Sequence, residues 1–251
     1  MTLLQGLALF AAGIAAGGIN TIVGSGTLVT FPTLLAIGYP PVLANVSNTV
    51  GLVPGSLSGA IGYRRELAGQ GARLIRLGAA SVLGGLTGAL LLLKLPASAF
   101  NAIVPVLIGL GCVLVVAQPW ISRHIRPPVH APPHGSAIVL VLVYAAGIYG
   151  GYFGAAQGVL LIAILGLGLA ESLQRINAAK NILAMLVNGV AAVVFITISQ
   201  VSWKAAGIIA AGSVIGGQVG ATVGRRLPPV VFRGFVAVVG VVAIVNLVFF
   251  D

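Results

Sequence analysis

The sequence predicts an all-α, polytopic transmembrane helical bundle: two inverted repeats, each of about four spanning helices plus one short re-entrant or broken segment. Three observations carry this. The 251 residues are 59% hydrophobic and only 6% charged, with a mean hydropathy of +1.13. That is too little charge to cover the outside of a soluble domain of this length. Residues 136–169 hold no charged side chain, and after the arginines at 73 and 76 none appears before Lys94; runs of this length read as membrane spans. Finally, similar segments recur in the same order in the two halves. A β-barrel needs alternating apolar and polar residues, and stretches such as Ala89–Leu93 and Val236–Val245 do not alternate.

Taken in order, the apolar runs predict spans over 3–23, 42–62, 72–93, 99–119, 136–156, 180–199, 204–224 and 231–250. Two shorter pieces, 27–37 and 159–169, remain. At about 1.5 Å per residue each covers roughly half of the hydrocarbon thickness. The 36 glycines would argue against long helices in water, but in lipid they let backbones approach closely. Pro54 and Pro105 should kink their spans, and Tyr63, Trp120 and Trp203 sit near span ends, as interfacial anchors do. The stretch 120–135 holds Arg123, Arg126, His124, His130, His134 and four prolines, so it reads as a linker. The organisation is thus a first transmembrane repeat over 1–119, a cytoplasmic linker over 120–135 and a second repeat over 136–251.

The internal likeness is concrete. Ser81–Ala89 matches Ser213–Ala221 at six of nine positions, 132 residues apart, with Leu95-Pro96 and Leu227-Pro228 in the same register. Gly13, Gly17 and Gly24 match Gly147, Gly151 and Gly158 at 134 residues, and Asn48 matches Asn181 at 133.

Charge decides between two arrangements of the short pieces. If they lie on the surface, the basic residues divide seven to six between the sides. If each dips into the membrane, every later loop in its half changes side. Eleven basic residues then share one side, leaving Lys94 and Lys204 on the other. The second arrangement obeys the positive-inside rule and makes the halves inverted, with both termini outside. The net charge of +10 is explained by the same rule rather than by nucleic-acid binding. One cysteine, Cys112, excludes an internal disulfide and reads as a packing residue. The first residues lack a basic n-region and a cleavage site, so they read as a span rather than a signal peptide.

The catalytic inventory is nearly empty. Glu66, Glu171 and Asp251 are the only carboxylates, and none falls inside a predicted span. No pair is placed for acid–base work and no Cys/His set has metal spacing. No catalytic residue, metal site or cofactor is expected, and the chain does not read as an enzyme. With no acid inside a span, a cationic substrate would lack a counter-charge, so an anion or neutral solute fits better.

Polar residues gather early in each half: Asn20, Thr21, Ser25, Gly26 and Thr27, then Asn45, Ser47 and Asn48; later Gln157 and Gly158, then Asn177, Lys180, Asn181 and Asn188. Such residues often only hydrogen-bond between helices, but their repetition in both halves favours a substrate-binding site. Gly24-Ser-Gly-Thr27 suits a helix break, with Ser25 or Thr27 as the cap of the short helix. A helix N-terminus inside the membrane offers unpaired N–H donors and partial positive charge, which suits an anion. Asn20, Ser25, Gly26, Thr27, Asn45, Asn48, Gln157, Gly158, Asn177, Lys180 and Asn181 are therefore the expected substrate-binding residues. Lys180 is expected at the start of a span, either as a snorkelling anchor or as an attractor of the anion. The pairs Gly84/Gly88 and Gly216/Gly220 are packing faces of the GxxxG kind, on which two copies of the chain could also associate.

Gly18-Ile-Asn-Thr-Ile-Val-Gly-Ser-Gly-Thr-Leu-Val-Thr-Phe-Pro32, Ala44-Asn-Val-Ser-Asn-Thr-Val-Gly51 and Pro54–Glu66 resemble the sulfite exporter TauE/SafE family of membrane transporters. The second half agrees more loosely, through Gly147–Gly158 and Asn177–Asn181. The resemblance covers essentially the whole chain. It implies transport across the bacterial plasma membrane, with sulfite, organosulfonates and related sulfur compounds as substrates of characterised members. Other members often carry a glycine run at the first helix break, where this chain has Gly24-Ser-Gly26.

Overall fold

The computed structural model describes residues 1–124, 132, 134–222, 234, 238 and 239. The described residues form nine helices and no strand. In chain order they are α1 (Leu3–Ile22), α2 (Thr27–Ala36), α3 (Pro41–Gly62), α4 (Gly71–Lys94), α5 (Ala97–His124), α6 (Ala137–Tyr152), α7 (Gln157–Gly168), α8 (Leu173–Ile198) and α9 (Trp203–Thr222). By length and hydropathy α1, α4, α5, α8 and α9 are long and apolar enough to cross a membrane. Of the expected span over 231–250 only residues 234, 238 and 239 are described; the rest of it, with Arg225, Arg226 and Arg233, lies outside the described residues.

Three boundaries and one cap differ from expectation, each for a local reason. The helix α6 stops at Tyr152 rather than 156, because Gly154 takes φ +78° and turns the chain. The helix α5 continues to His124, into the expected linker; Pro119 lies inside it and no Gly follows to end it. The helix α8 begins at Leu173, seven residues early, where Ser172 accepts a hydrogen bond from the Arg175 amide at 3.4 Å. Lys180 therefore lies two turns inside a helix and is fully buried, so it is not a snorkelling anchor. At the first break Ser25 and Thr27 do not cap α2: its N-cap is Gly26, with no side-chain bond.

Close backbone approach joins the helices. Gly17 of α1 faces Ser213 and Gly217 of α9, and Gly147 of α6 faces Ser81, Gly84 and Gly85 of α4. A methyl group at Gly147 would lie 2.9 Å from the Ser81 carbonyl oxygen, so only glycine permits this spacing. Gly84 and Gly88 pack on α6, and Gly216 and Gly220 on α1; both GxxxG faces are occupied within the chain.

These contacts correct the register of the internal likeness. Gly17 and Gly147 are equivalent by contact, as are Ile22 and Tyr152 by helix end and Gly24 and Gly154 by positive φ, all 130 residues apart. The starts of α3 and α8, and of α4 and α9, differ by 132. The glycine matches at 134 are one helical turn out, because Gly recurs every four residues on both helices. Asn45 accordingly corresponds to Asn177, and Asn48 to Lys180.

Both short helices return to the end they came from. Tyr39, after α2, accepts a hydrogen bond from Ser202 at 3.2 Å, and Lys204, two residues further on, shares a cavity with Met1–Leu3 at the start of α1. Val139 at the start of α6 packs on Gly168 at the end of α7. The α6–α7 hairpin opens at the other end. There Arg73 meets Glu171 at 2.8 Å, Arg175 meets Glu171 at 2.6 Å, and Arg175 reaches the Ala68 carbonyl at 3.0 Å. Tyr63, Ala178 and Ala221 pack together at this end, which fixes the two ends of α9 as opposite. Arg73 and Arg175 thus share one end, as dipping segments require and surface-lying segments forbid.

Candidate functional site

The two helix breaks meet inside the bundle. The Gly158 amide donates to the Gly24 carbonyl at 3.0 Å, and a Cβ on either glycine would overlap the backbone of the other. Gly24 takes φ +88°, a region costly for residues with a Cβ, so close approach and conformation both demand glycine here. Phe31 of α2 packs edge-on against Phe153, with centroids 5.1 Å apart, and against Phe100 of α5 at 6.5 Å. This aromatic cluster fixes the start of α2 against the second break.

At the first break the end of α1 is capped by side chains from α8. An α-helix leaves its last carbonyls without intrahelical partners, and in a membrane interior water does not supply them. Lys180 donates to the Asn20 and Thr21 carbonyls at 2.9 and 3.1 Å. Asn177 and Asn181 reach the Thr21 carbonyl at 3.3 and 3.4 Å. When protonated, Lys180 would also complement the macrodipole at this helix C-terminus. The reciprocal contact is present at the second break, where Asn45 of α3 donates to the Tyr152 carbonyl at 2.9 Å. Each half thus caps the broken helix of the other.

The expected site residues divide by what they touch. Asn177, Lys180, Asn181 and Asn45 hold backbone carbonyls. Asn48 is buried between Thr27 and Thr30; it donates to the Thr27 hydroxyl at 3.3 Å and accepts from the Thr30 hydroxyl. Asn20 and Asn188 both donate to Ser56 Oγ, at 3.3 and 3.2 Å. The Gln157 and Gly158 amides are engaged, on the Gly154 and Gly24 carbonyls. The Ser25, Gly26 and Thr27 amides have no acceptor among the described residues. Three expected residues keep buried polar side-chain atoms without partners beside the junction: Ser25 Oγ, Gln157 Nε2 and Asn45 Oδ1; Asn177 Oδ1 is a fourth. Thr30 was not among the expected residues, although it stands one turn after Thr27 on the same face, and that spacing was the available signal.

Ser25, Asn45, Asn48 and Lys180 are all completely buried, so the junction is closed to both ends. What gathers there is rich in donors, namely the Lys180 amine, free α2 amides, a hydroxyl and an amide nitrogen, beside the Asn45 and Asn177 carbonyl oxygens. Among the described residues no group of His, Cys, Asp and Glu could hold a metal ion. A separate cavity of about 410 Å³, lined by residues of α1 and α9 including Phe10, Lys204 and Ile208, lies at the far end of α1 from the junction.

A family model described as the sulfite exporter TauE/SafE matches residues 9–247. The chain is 27% identical over 226 residues to a probable membrane transporter protein, YfcA, of Escherichia coli strain K12, covering 87% of this chain and 80% of that one. It is also 27% identical to a probable membrane transporter protein of Haemophilus influenzae, covering 90% of each chain. A third such protein, ORF9 of a Sinorhizobium species, is 27% identical over 84% of this chain and 80% of its own. No solved structure matches. The chain belongs to the sulfite exporter TauE/SafE family of membrane transporters.

Proposed function

We propose that this member of the TauE/SafE family carries a small anion across the bacterial plasma membrane by alternating access, with sulfite, an organosulfonate or a related sulfur compound as its substrate class. The observation that carries the reading is the closed junction. There the unspent α2 amides and the unpartnered Ser25 hydroxyl and Gln157 amide nitrogen gather beside a fully buried lysine. An anion in a low-dielectric site needs several kcal/mol of compensation, and this cluster is the concentration of donors available for it. Hairpins that open at opposite ends support an inverted relation between repeats 1–119 and 136–251 joined by 120–135. Such repeats can expose one central site to each face in turn.

The eleven-to-two division of basic residues supports a cytoplasmic position for the Arg73–Glu171–Arg175 end and an outer position for both termini. Single cysteines at Gly69 and His130 in a Cys112→Ser background test this; labelling of either from outside the cell overturns it. A homo-oligomer through the GxxxG faces would have to compete with the packing of those glycines on α1 and α6.

Ser25→Ala tests the site. Its hydroxyl has no partner to lose, so folded yield should hold, while thermal stabilisation of the purified protein by a sulfonate weakens about tenfold in the concentration required, roughly 1.4 kcal/mol. Anion flux in proteoliposomes that is unchanged in Ser25→Ala and Asn48→Ala moves the site elsewhere. Flux of a small carboxylate but not of sulfonates would point to a carrier of other organic anions. No flux of any anion would favour a membrane scaffold.

A further inference from the structure

We propose that Lys180 is the proton-coupling residue of the carrier, so that each anion crosses together with one proton taken up on the Lys180 amine. This rests on the carrier reading above. The geometry points to it in three ways. Lys180 is completely buried, and its Nζ donates to two neutral carbonyls, those of Asn20 and Thr21, at 2.9 and 3.1 Å. A neutral amine has two N–H bonds and those two acceptors satisfy both; an ammonium has a third, which needs another acceptor. An anion bound at the junction supplies it.

Second, no fixed counter-charge is at hand. The helices packed on α8, namely α3, α4, α6 and α7, and the end of α1 that Lys180 caps, contain no carboxylate. Glu171 is engaged with Arg73 and Arg175 at the bundle end, and Glu66 lies in the loop after α3. The other titratable or charged groups on these elements are Arg73, Arg76 and Lys94 of α4 and the tyrosines of α6. Tyr149 donates to the Ala155 carbonyl, Tyr144 is bonded with Thr87, and Tyr152 lies against Phe100. Tyr63 packs on Ala178, two residues from Lys180. All of these are cations or neutral phenols, so none can balance an ammonium.

Third, the cation is present once. The equivalent position in the first half is Asn48, a neutral amide held by Thr27 and Thr30. One titratable site gives one proton per cycle. In the loaded state the amine lone pair binds a proton and the ammonium pairs with the anion. On release the anion departs, the proton passes to water on the side then exposed, and the neutral amine keeps its two carbonyls for the return. A monovalent anion and a proton move together with no net charge, and no bare ammonium has to cross unpaired.

The test uses purified full-length protein in liposomes with an internal pH dye and methanesulfonate, whose charge is fixed over the working pH range. An imposed gradient of about two pH units, acid outside, should raise its uptake at least tenfold, since that gradient corresponds to about 2.7 kcal/mol per proton. Uptake down a methanesulfonate gradient should acidify the lumen by one proton per anion. Lys180→Arg keeps the positive charge but cannot release the proton, and any anion movement it supports should carry no proton. If that variant does not fold, Lys180→Gln should likewise move no proton with anion. Wild-type flux without proton movement overturns the proposal while leaving the carrier reading intact, and so does proton movement that persists in a folded Lys180 variant. No flux of methanesulfonate, sulfite or a carboxylate overturns both.

Discussion

The α1–α2 and α6–α7 hairpins turn on the same backbone plan, a glycine with positive φ two residues past the first helix, at Gly24 and Gly154. They differ in what surrounds the turn. Gly24 is pressed against Gly158, and α8 brings Lys180, Asn177 and Asn181 to the carbonyls just before it. Gly154 faces mainly the Gly150 carbonyl of its own helix, and α3 brings one amide, Asn45, to the end of α6. The first hairpin thus collects the positive potential and the free amides, whereas the second serves as the wall it leans on. The two hairpins share a backbone skeleton, and the chemistry lies on one side.

Alanine at the two glycines should separate these roles most strongly. Gly24→Ala adds a left-handed backbone cost of about 1–2 kcal/mol to an overlap with Gly158 of about 1–3 kcal/mol. Gly154→Ala meets only the first cost, its Cβ coming 3.0 Å from the Gly150 oxygen. Thermal unfolding in detergent should show the larger drop for Gly24→Ala; equal drops would mean that the Gly24–Gly158 contact contributes nothing.

The next largest difference lies in the caps. Asn45→Ala leaves the partly buried Tyr152 carbonyl without that bond, at about 1–3 kcal/mol. Asn177→Ala leaves Thr21 still served by Lys180 and Asn181. Asn45→Ala should therefore lower the unfolding midpoint more. The reverse order would show that the second hairpin is not held by its single amide.

The smallest effect concerns the two mouths. Burial pushes the Glu171 carboxyl up, but hydrogen bonds from Arg73 and Arg175 and their charges outweigh it, so its pKa falls below the usual 4.5. That stabilisation is present above the unfolded-state value and is lost as pH falls through the lower folded value. The Tyr39–Ser202 contact at the other mouth contains no carboxylate. Below about pH 4, hydrogen exchange should speed up at 68–75 and 171–176 and not at 37–42 and 199–204. The change should be worth about 1 kcal/mol for this partly buried cluster at the bundle end, and Glu171→Gln should remove it.

Much of this was readable beforehand. The apolar runs and short half-span pieces gave the helices and the dips, and basic loops grouped Arg73 with Arg175. What could not be read was register. With Gly spaced by four on both α1 and α6, shifting the comparison by one turn still matches glycine to glycine, so Gly24 was aligned with Gly158, which it touches, instead of Gly154, which it resembles. The early start of α8 was also hidden, because Arg175 and Lys180 look like flanking charges until Ser172 is seen to cap them inside. The asparagines were found, but their acceptors are backbone carbonyls, which carry no side-chain signature.

The cross-capping bears on how the chain is made. The carbonyls of Asn20 and Thr21 find their partners on residues more than 150 positions later. During synthesis α1 and α2 enter the bilayer long before α8 exists. Until then the exposed helix end must stay near the headgroups or be sheltered by the insertion machinery, since hydrocarbon offers it no donor. The hairpin can settle to its final depth only after α8 has been inserted. Truncation before residue 173 should leave the first hairpin shallow and open to protease, and co-expression of the missing half should draw it back in.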